Sequence, residues 1–213
     1  MSNQSPTDPP EDMRGSPLVR DLLKNDPIEQ FNLWFEQATA VNDMPEAMTL
    51  ATVDDQGRPD ARMVLMKGAD AEGFRFYTNY DGVKSAQIGA TSAAALVFNW
   101  PELARQVRVR GTVERLAEDE SDAYFVSRDR ASQIGAWASP QSRPIEDRRQ
   151  LELLAAEAER KFDGRPVKRP EHWGGFLVRP EQIEFWQGRR ARLHDRFAFV
   201  RDGDGWNIER LAP

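Results

Sequence analysis

Residues 47–67 read AMTLATVDDQGRPDARMVLMK, two runs rich in Thr, Val, Leu and Met separated by Asp55-Gln56-Gly57. Short apolar runs of this kind, punctuated by a Gly-bearing turn, predict paired antiparallel strands over 47–53 and 60–67. The same texture continues downstream, with strands expected at 74–78, 93–99 and 104–116 and a turn at Glu72-Gly73. These runs lie too close together for ordinary βαβ crossovers, so a meandering barrel or sandwich follows. Three more strands are expected at 175–179, 182–188 and 193–200, and 205–210 follows an Asp-Gly-Asp-Gly turn.

Helices flank this β region. Asp26 is a good N-cap, Pro27 suits the first helical position, and Glu29 stands where a capping box places its acid. Ile28, Phe31, Trp34, Phe35 and Ala38 then recur at helical spacing up to about residue 41, forming one apolar stripe. Acids at Glu118, Asp119 and Glu120 favour a helix over 118–130, and another is expected over about 145–162. The fold class is therefore α+β, mainly β with flanking α-helices. Residues 1–25 contain Pro6, Pro9, Pro10 and Pro17 without periodicity and read as a flexible tail; residues 26–213 read as one domain.

Composition narrows the function. The chain has 213 residues, no cysteine, two histidines (His172 and His194) and a formal charge of −6. Thiolate chemistry is excluded, paired-His metal spacing is absent so no metal is expected, and redox chemistry would need a borrowed cofactor. The acidic balance argues against a general nucleic-acid partner. With no membrane-length apolar run and a polar start, MSNQSPTDPPEDM, the expectation is a cytoplasmic protein. There is neither an internal repeat nor a GxGxxG or P-loop sequence.

Several groupings could carry chemistry. Arg62-Met63-Val64-Leu65-Met66-Lys67 places a cation at each end of an apolar strand; strict alternation sends the two cations to opposite faces unless a bulge intervenes. It is either a core strand with solvated ends or a pair of anion contacts flanking a planar ligand. Tyr124, Arg128 and Ser132 are spaced i, i+4, i+8 and share one face if the helix continues, which suits a phosphate monoester. Alternatively, Tyr124 packs in the core and Arg128 pairs with an acid. Gln106, Arg108 and Arg110 alternate with valines, placing Gln106 on the polar face. Residues 133–142, QIGAWASPQS, read as a loop able to close over a ligand or partner, with Trp137 either in that role or anchoring the loop. On a strand, Arg192, His194 and Arg196 would share a face, which is costly to bury and suggests an anionic ligand or solvent.

Taken in order, RMVLMK, FYTNY, ELARQVRVRG, SRDRASQIGAWASPQS, HWGGF, IEFWQGR, RLHDR and the terminal ERLAP resemble the pyridoxine/pyridoxamine 5′-phosphate oxidase family over residues 26–213. The resemblance implies an FMN-binding split β-barrel acting as a homodimer, with FMN at the subunit interface. It implies FMN contacts from Arg62, Met63, Val64, Leu65, Met66, Lys67, Tyr77, Thr78, Lys84, Gln106, Gln141, Ser142, Trp186 and Arg196. Substrate contacts are implied for Lys67, Tyr124, Arg128, Ser132, Arg192, Leu193 and His194. Of these, Lys67, Tyr124, Arg128 and Ser132 would hold the substrate phosphate, while Arg192 and His194 would lie beside the pyridine ring as the catalytic pair.

The implied reaction moves hydride equivalents from substrate C4′ to flavin N5, with O2 as final acceptor and peroxide as product, giving pyridoxal 5′-phosphate. The lack of an obvious nucleophile or carboxylate pair agrees with a cofactor carrying the chemistry. Two features depart from the family pattern. Val83 stands where an Arg usually precedes Lys84, and Arg14-Gly15-Ser16-Pro17 replaces the usual Arg-x-x-Tyr. Competing readings are a related flavin oxidase acting on a phenazine-type aromatic, or a non-catalytic flavin or pyridoxal-phosphate binder.

Overall fold

A computed structural model describes residues 17–213; the Arg14–Ser16 departure and most of the expected tail lie outside the described residues. The helix α1 (Pro27–Thr39) begins as its sequence predicts, because the Asp26 carboxylate accepts from the Ile28 and Glu29 amides at 2.7 and 3.0 Å. That satisfies two donors which the first turn leaves orphaned. Its stripe buries Phe31, Trp34 and Ala38, and Phe31 packs against Phe74, Phe98 and Trp100 at centroid separations of 4.9 to 6.0 Å.

The strands are β1 (Ala47–Val53), β2 (Pro59–Leu65), β3 (Gly68–Asp70), β4 (Gly73–Asn79), β5 (Ala93–Trp100), β6 (Arg105–Arg115), β7 (Trp173–Gln187), β8 (Asp195–Asp202) and β9 (Gly205–Leu211). They form one antiparallel sheet in the order β2-β1-β5-β6-β7-β4-β3, with β8 on β7 and β9 on β8. The split arises in β7, which pairs β6 along its length. The first half of β7 also pairs β4 through residues 173–178, whereas its second half pairs β8 through residues 182–187. The sheet curls around Met48, Leu50, Leu96, Val107, Val109 and Phe185, all fully buried, so one face of each strand makes the core.

Three expectations for the β region need correction. The separate strands 175–179 and 182–188 are one continuous β7; the break between them is a register shift, with Glu181 left without a partner opposite Arg110/Gly111. A Cβ on Gly111 would lie 1.9 Å from the Arg179 carbonyl oxygen, so glycine is required where the two backbones close up. The strand expected over 60–67 stops at Leu65, and the alternation argument therefore does not reach Lys67. Finally, α2 (Val83–Thr91) interrupts the expected β meander. It has no side-chain cap and carries Gly89 in its interior, both poor local signals; burial of Ser85, Gln87 and Ile88 holds it instead.

The remaining helices are α3 (Glu118–Ser127), α4 (Arg130–Ala138) and α5 (Arg148–Lys161). They enclose a second small core of Phe125, Ile134, Ala138, Ala158, Phe162 and Trp173. The helix expected over 118–130 thus ends early: Arg128 is extended, and Asp129 caps α4 by accepting from the Ser132 amide at 2.8 Å. Likewise, the first part of the expected 133–142 loop is helical, because Ile134 and Ala138 stack one turn apart into that core.

Candidate active site

Between the end of β4, the α3–α4 break and the end of β2 lies a polar cavity of about 620 Å³. Its lining includes Lys67, Tyr77, Thr78, Lys84, Tyr124, Arg128, Ser132 and Gln141, together with Met63, Val64 and Leu65. Tyr124, Arg128 and Ser132 therefore converge although no continuous helix carries them. Extended backbone at Arg128 turns the chain, and the Asp129 cap starts α4 so that Ser132 again faces the cavity.

The Arg128 guanidinium lies over the Trp173 ring at 4.5 Å, and its Nη1 is buried without a hydrogen-bond partner. A buried donor left unpaired is costly, more so when charged. Burial depresses the pKa of Arg128, opposed by Tyr124 and Asp129. Tyr124 stacks on Tyr77 at 3.9 Å, and burial raises both phenols, Tyr77 to about 12 with further help from the Glu120 charge. Both thus stay neutral donors at physiological pH. The alternative in which Arg128 pairs with an acid does not occur among the described residues' ion pairs.

At the other end of the cavity, Lys84 Nζ donates to Thr78 Oγ1 at 3.1 Å and to Gln141 Oε1 at 2.5 Å. Burial, and then the Arg62 charge, push the Lys84 ammonium below its ordinary range. Ser142, at φ 66°, accepts from the Val83 amide at 3.4 Å through its hydroxyl. Arg62 itself faces inward. It donates to Thr52 Oγ1, Asp60 Oδ2, Gln87 Oε1 and the Leu50 carbonyl at 2.5 to 3.3 Å. Thr52 and Gln87 are buried, and the sequence hides this network because it hides α2, which carries Gln87. Trp173, beneath Arg128, belongs to the HWGGF stretch, whose pattern alone assigns it no role. Met66 is in the core, not the cavity wall.

The other expected site residues stand elsewhere. Gln106, Trp186 and Arg196 are successive cross-strand partners on β6, β7 and β8, forming one row on the outer face of the sheet. Arg196 is held by Glu184 at 2.8 Å and by the Ala212 carbonyl at 2.9 Å. Arg192, Leu193 and His194 are not on a strand with Arg196; they occupy a 3-10 turn and its exit before β8 begins at Asp195. This corrects the shared-face expectation. The His194 ring nevertheless lies 4.5 Å from that of Trp186, and its Nδ1 accepts from the Arg189 amide at 3.1 Å.

The expected site residues therefore fall into two groups on one chain. Tyr77 pairs with Gly175 near the start of β7, whereas Gln106 pairs with Trp186 near its end. At strand rise that separation is on the order of 30 Å along β7. No residue of the second group lines the cavity.

Among the described residues, a nine-stranded split sheet with a polar, cation-lined cavity defines the class as a split-barrel protein with a small-anion site. Comparison with known proteins gives the family. Residues 35–162 match "Pyridoxamine 5'-phosphate oxidase", and residues 173–213 match "Pyridoxine 5'-phosphate oxidase C-terminal dimerisation region". The pyridoxine/pyridoxamine 5′-phosphate oxidase of Rubrobacter xylanophilus is 57% identical over 92% of this chain and 91% of its own. That of Synechocystis is 52% identical over 92% of both chains. Among solved structures, PhzG of Burkholderia lata, in complex with tetrahydrophenazine-1-carboxylic acid, superposes with a TM-score of 0.86 at 29% identity, covering 92% of this chain and 98% of that one. The chain belongs to the pyridoxamine 5′-phosphate oxidase family.

Proposed function

We propose that this protein oxidises pyridoxamine 5′-phosphate, pyridoxine 5′-phosphate or both to pyridoxal 5′-phosphate, using FMN and O2, as a cytoplasmic homodimer. The Arg128 guanidinium, which lines the cavity with Lys67, Tyr124 and Ser132 and pairs with no acid among the described residues, carries the substrate assignment. A phosphate monoester in the cavity gains charge-assisted bonds from the guanidinium, with neutral hydroxyls fixing its orientation. A carboxylated phenazine supplies no such dianion, which favours the B6 ester over the phenazine reading.

The residues present also fit FMN. Lys84, Thr78, Gln141 and Ser142 offer a cation and neutral donors suited to its phosphate, with Arg62 held alongside by Thr52 and Gln87. β2 is an edge strand, so the backbone groups that Met63 and Leu65 turn away from β1 can meet the polar edge of a planar ring. Bound there, FMN would supply the acceptor for the hydride equivalents leaving substrate C4′, with O2 as the final oxidant.

Gln106, Trp186 and Arg196, with Arg192, Leu193 and His194, complete the site from a second copy of the chain. The span along β7 keeps them from the same cavity within one chain, and the half-buried outer face bearing Thr49, Ala51, Ala95 and Val97 offers a surface for that copy. Arg192 holds the substrate ring against the flavin. His194 assists, its Nδ1 committed to the Arg189 amide and Nε2 left to face substrate.

The test is oxygen uptake by FMN-supplemented protein with pyridoxamine 5′-phosphate, pyridoxine 5′-phosphate, the unphosphorylated analogues and tetrahydrophenazine-1-carboxylic acid. Flavin-dependent turnover confined to the phosphate esters is expected. Turnover of the phenazine alone, or of nothing, overturns the assignment.

A further inference from the structure

The Arg189–His194 turn holds an unfavourable backbone. Ala191 and Arg192 stand at φ 56° and 60°, two successive L residues in the left-handed region with no glycine between them. Side chains with a Cβ rarely adopt this conformation, and it persists only where surrounding contacts impose it. Within the turn, the Arg189 amide donates to His194 Nδ1 and the Leu193 amide donates to the Arg190 carbonyl at 3.2 Å, and both bonds act against relaxation.

Asp195 closes the base of this turn. Its carboxylate is buried, at 8% exposure, and lies 3.5 Å from Arg189 Nε at the turn's first residue. It also pairs with Arg210 on β9 and accepts from the Leu18 amide at 3.2 Å. One buried anion thus ties the beginning of the turn, its end, the neighbouring strand and the chain's N-terminal segment together. Breaking a buried charge pair disrupts far more than an exposed one, because the charge left behind has no solvent to turn to.

We infer that Asp195 is a positioning residue for the reaction: it clamps the turn in the strained form that presents Arg192 and His194. This rests on the reading of those two residues as substrate-ring contacts. Asp195 itself touches neither substrate nor flavin and acts through the backbone geometry of its neighbours.

The test compares FMN-loaded wild type with Asp195→Asn, Arg192→Ala, the double variant, and Asp195→Asn combined with Ala191→Gly. KM and kcat for pyridoxamine 5′-phosphate, FMN affinity, and amide hydrogen exchange at Arg189 and Leu193 are read. Asp195→Asn is expected to raise KM about tenfold or more and to speed exchange of both amides, with a smaller change in FMN affinity. Adding it to Arg192→Ala should cost less than the sum of the two single effects, since both act in part through Arg192. Ala191→Gly should recover several-fold of the loss, because glycine adopts the turn at no steric cost.

Impaired Arg192→Ala beside an Asp195→Asn variant with unchanged KM and unchanged exchange overturns the inference. Wild-type KM in Arg192→Ala overturns instead the reading on which it rests; faster turn exchange in Asp195→Asn then still identifies the clamp. Should Asp195→Asn fail to fold, Arg210→Met removes one arm from the more exposed side, and unchanged exchange and KM there also overturn the inference.

Discussion

Replacing Arg128 by Met separates what the residue does for binding from what it does for stability. Met keeps an unbranched apolar stem on the Trp173 ring but removes the charge and the buried Nη1. A hydrogen bond to a charged group is worth about 1.5–3 kcal/mol, so KM for pyridoxamine 5′-phosphate should rise by about 10- to 150-fold. Without ligand the sign reverses. The unpaired donor costs about 1–3 kcal/mol, offset in part by the lost cation–π contact of about 0.5–2 kcal/mol. At mid-range the two terms leave about 0.75 kcal/mol in favour of the variant, so without ligand it should melt about 2–3 °C above wild type. Steady-state oxygen uptake and thermal melts with and without pyridoxal 5′-phosphate measure both quantities, and the ligand-induced rise in Tm should shrink in the variant. An unchanged KM, or a melt several degrees lower without ligand, would refute the reasoning, because it would make Arg128 a structural residue.

Val83→Arg should tighten FMN binding in a fluorescence titration. Because Asp54 and Asp55 line the hollow beside Val83 and compete for the new guanidinium, the gain is expected nearer the low end, about tenfold, of a charged hydrogen bond; unchanged affinity refutes the idea of a missing contact. FMN affinity should fall as pH rises through the Lys84 pKa, which lies below the usual value of 10.5, and this fall should vanish in Lys84→Met. For stability the sign is opposite: the unfolded lysine holds its proton to higher pH, so the Lys84 contribution becomes more favourable as pH rises from the folded value to the unfolded one. A pH series of chemical melts on wild type and Lys84→Met, without flavin, checks this difference.

Much of the fold is legible in the sequence, for physical reasons. Asp26-Pro27 and the Phe31/Trp34/Ala38 stripe specify α1 locally, and the valine alternation of β6 predicts which face Gln106 takes. What stays hidden depends on distant partners. The α2 helix has weak local signals and owes its form to burial of Ile88 and Gln87; hence the Thr52–Gln87–Arg62 network is invisible as well. Tyr124, Arg128 and Ser132 are grouped by a helical spacing that the chain does not keep, yet they do converge, because the Asp129 cap restarts a helix in the right place. The separation of the site into two groups cannot be read from spacing, since it depends on which half of β7 each strand pairs.

Mixing two disabled variants tests the shared site most directly. Arg128→Met damages only the cavity half and Arg192→Ala only the turn half, so a heterodimer of the two has one site with both lesions and one with neither. After unfolding and refolding an equimolar mixture, random pairing makes half the dimers mixed, and about one quarter of wild-type activity should return. Activity no greater than the mean of the two variants alone would contradict a site built from two chains.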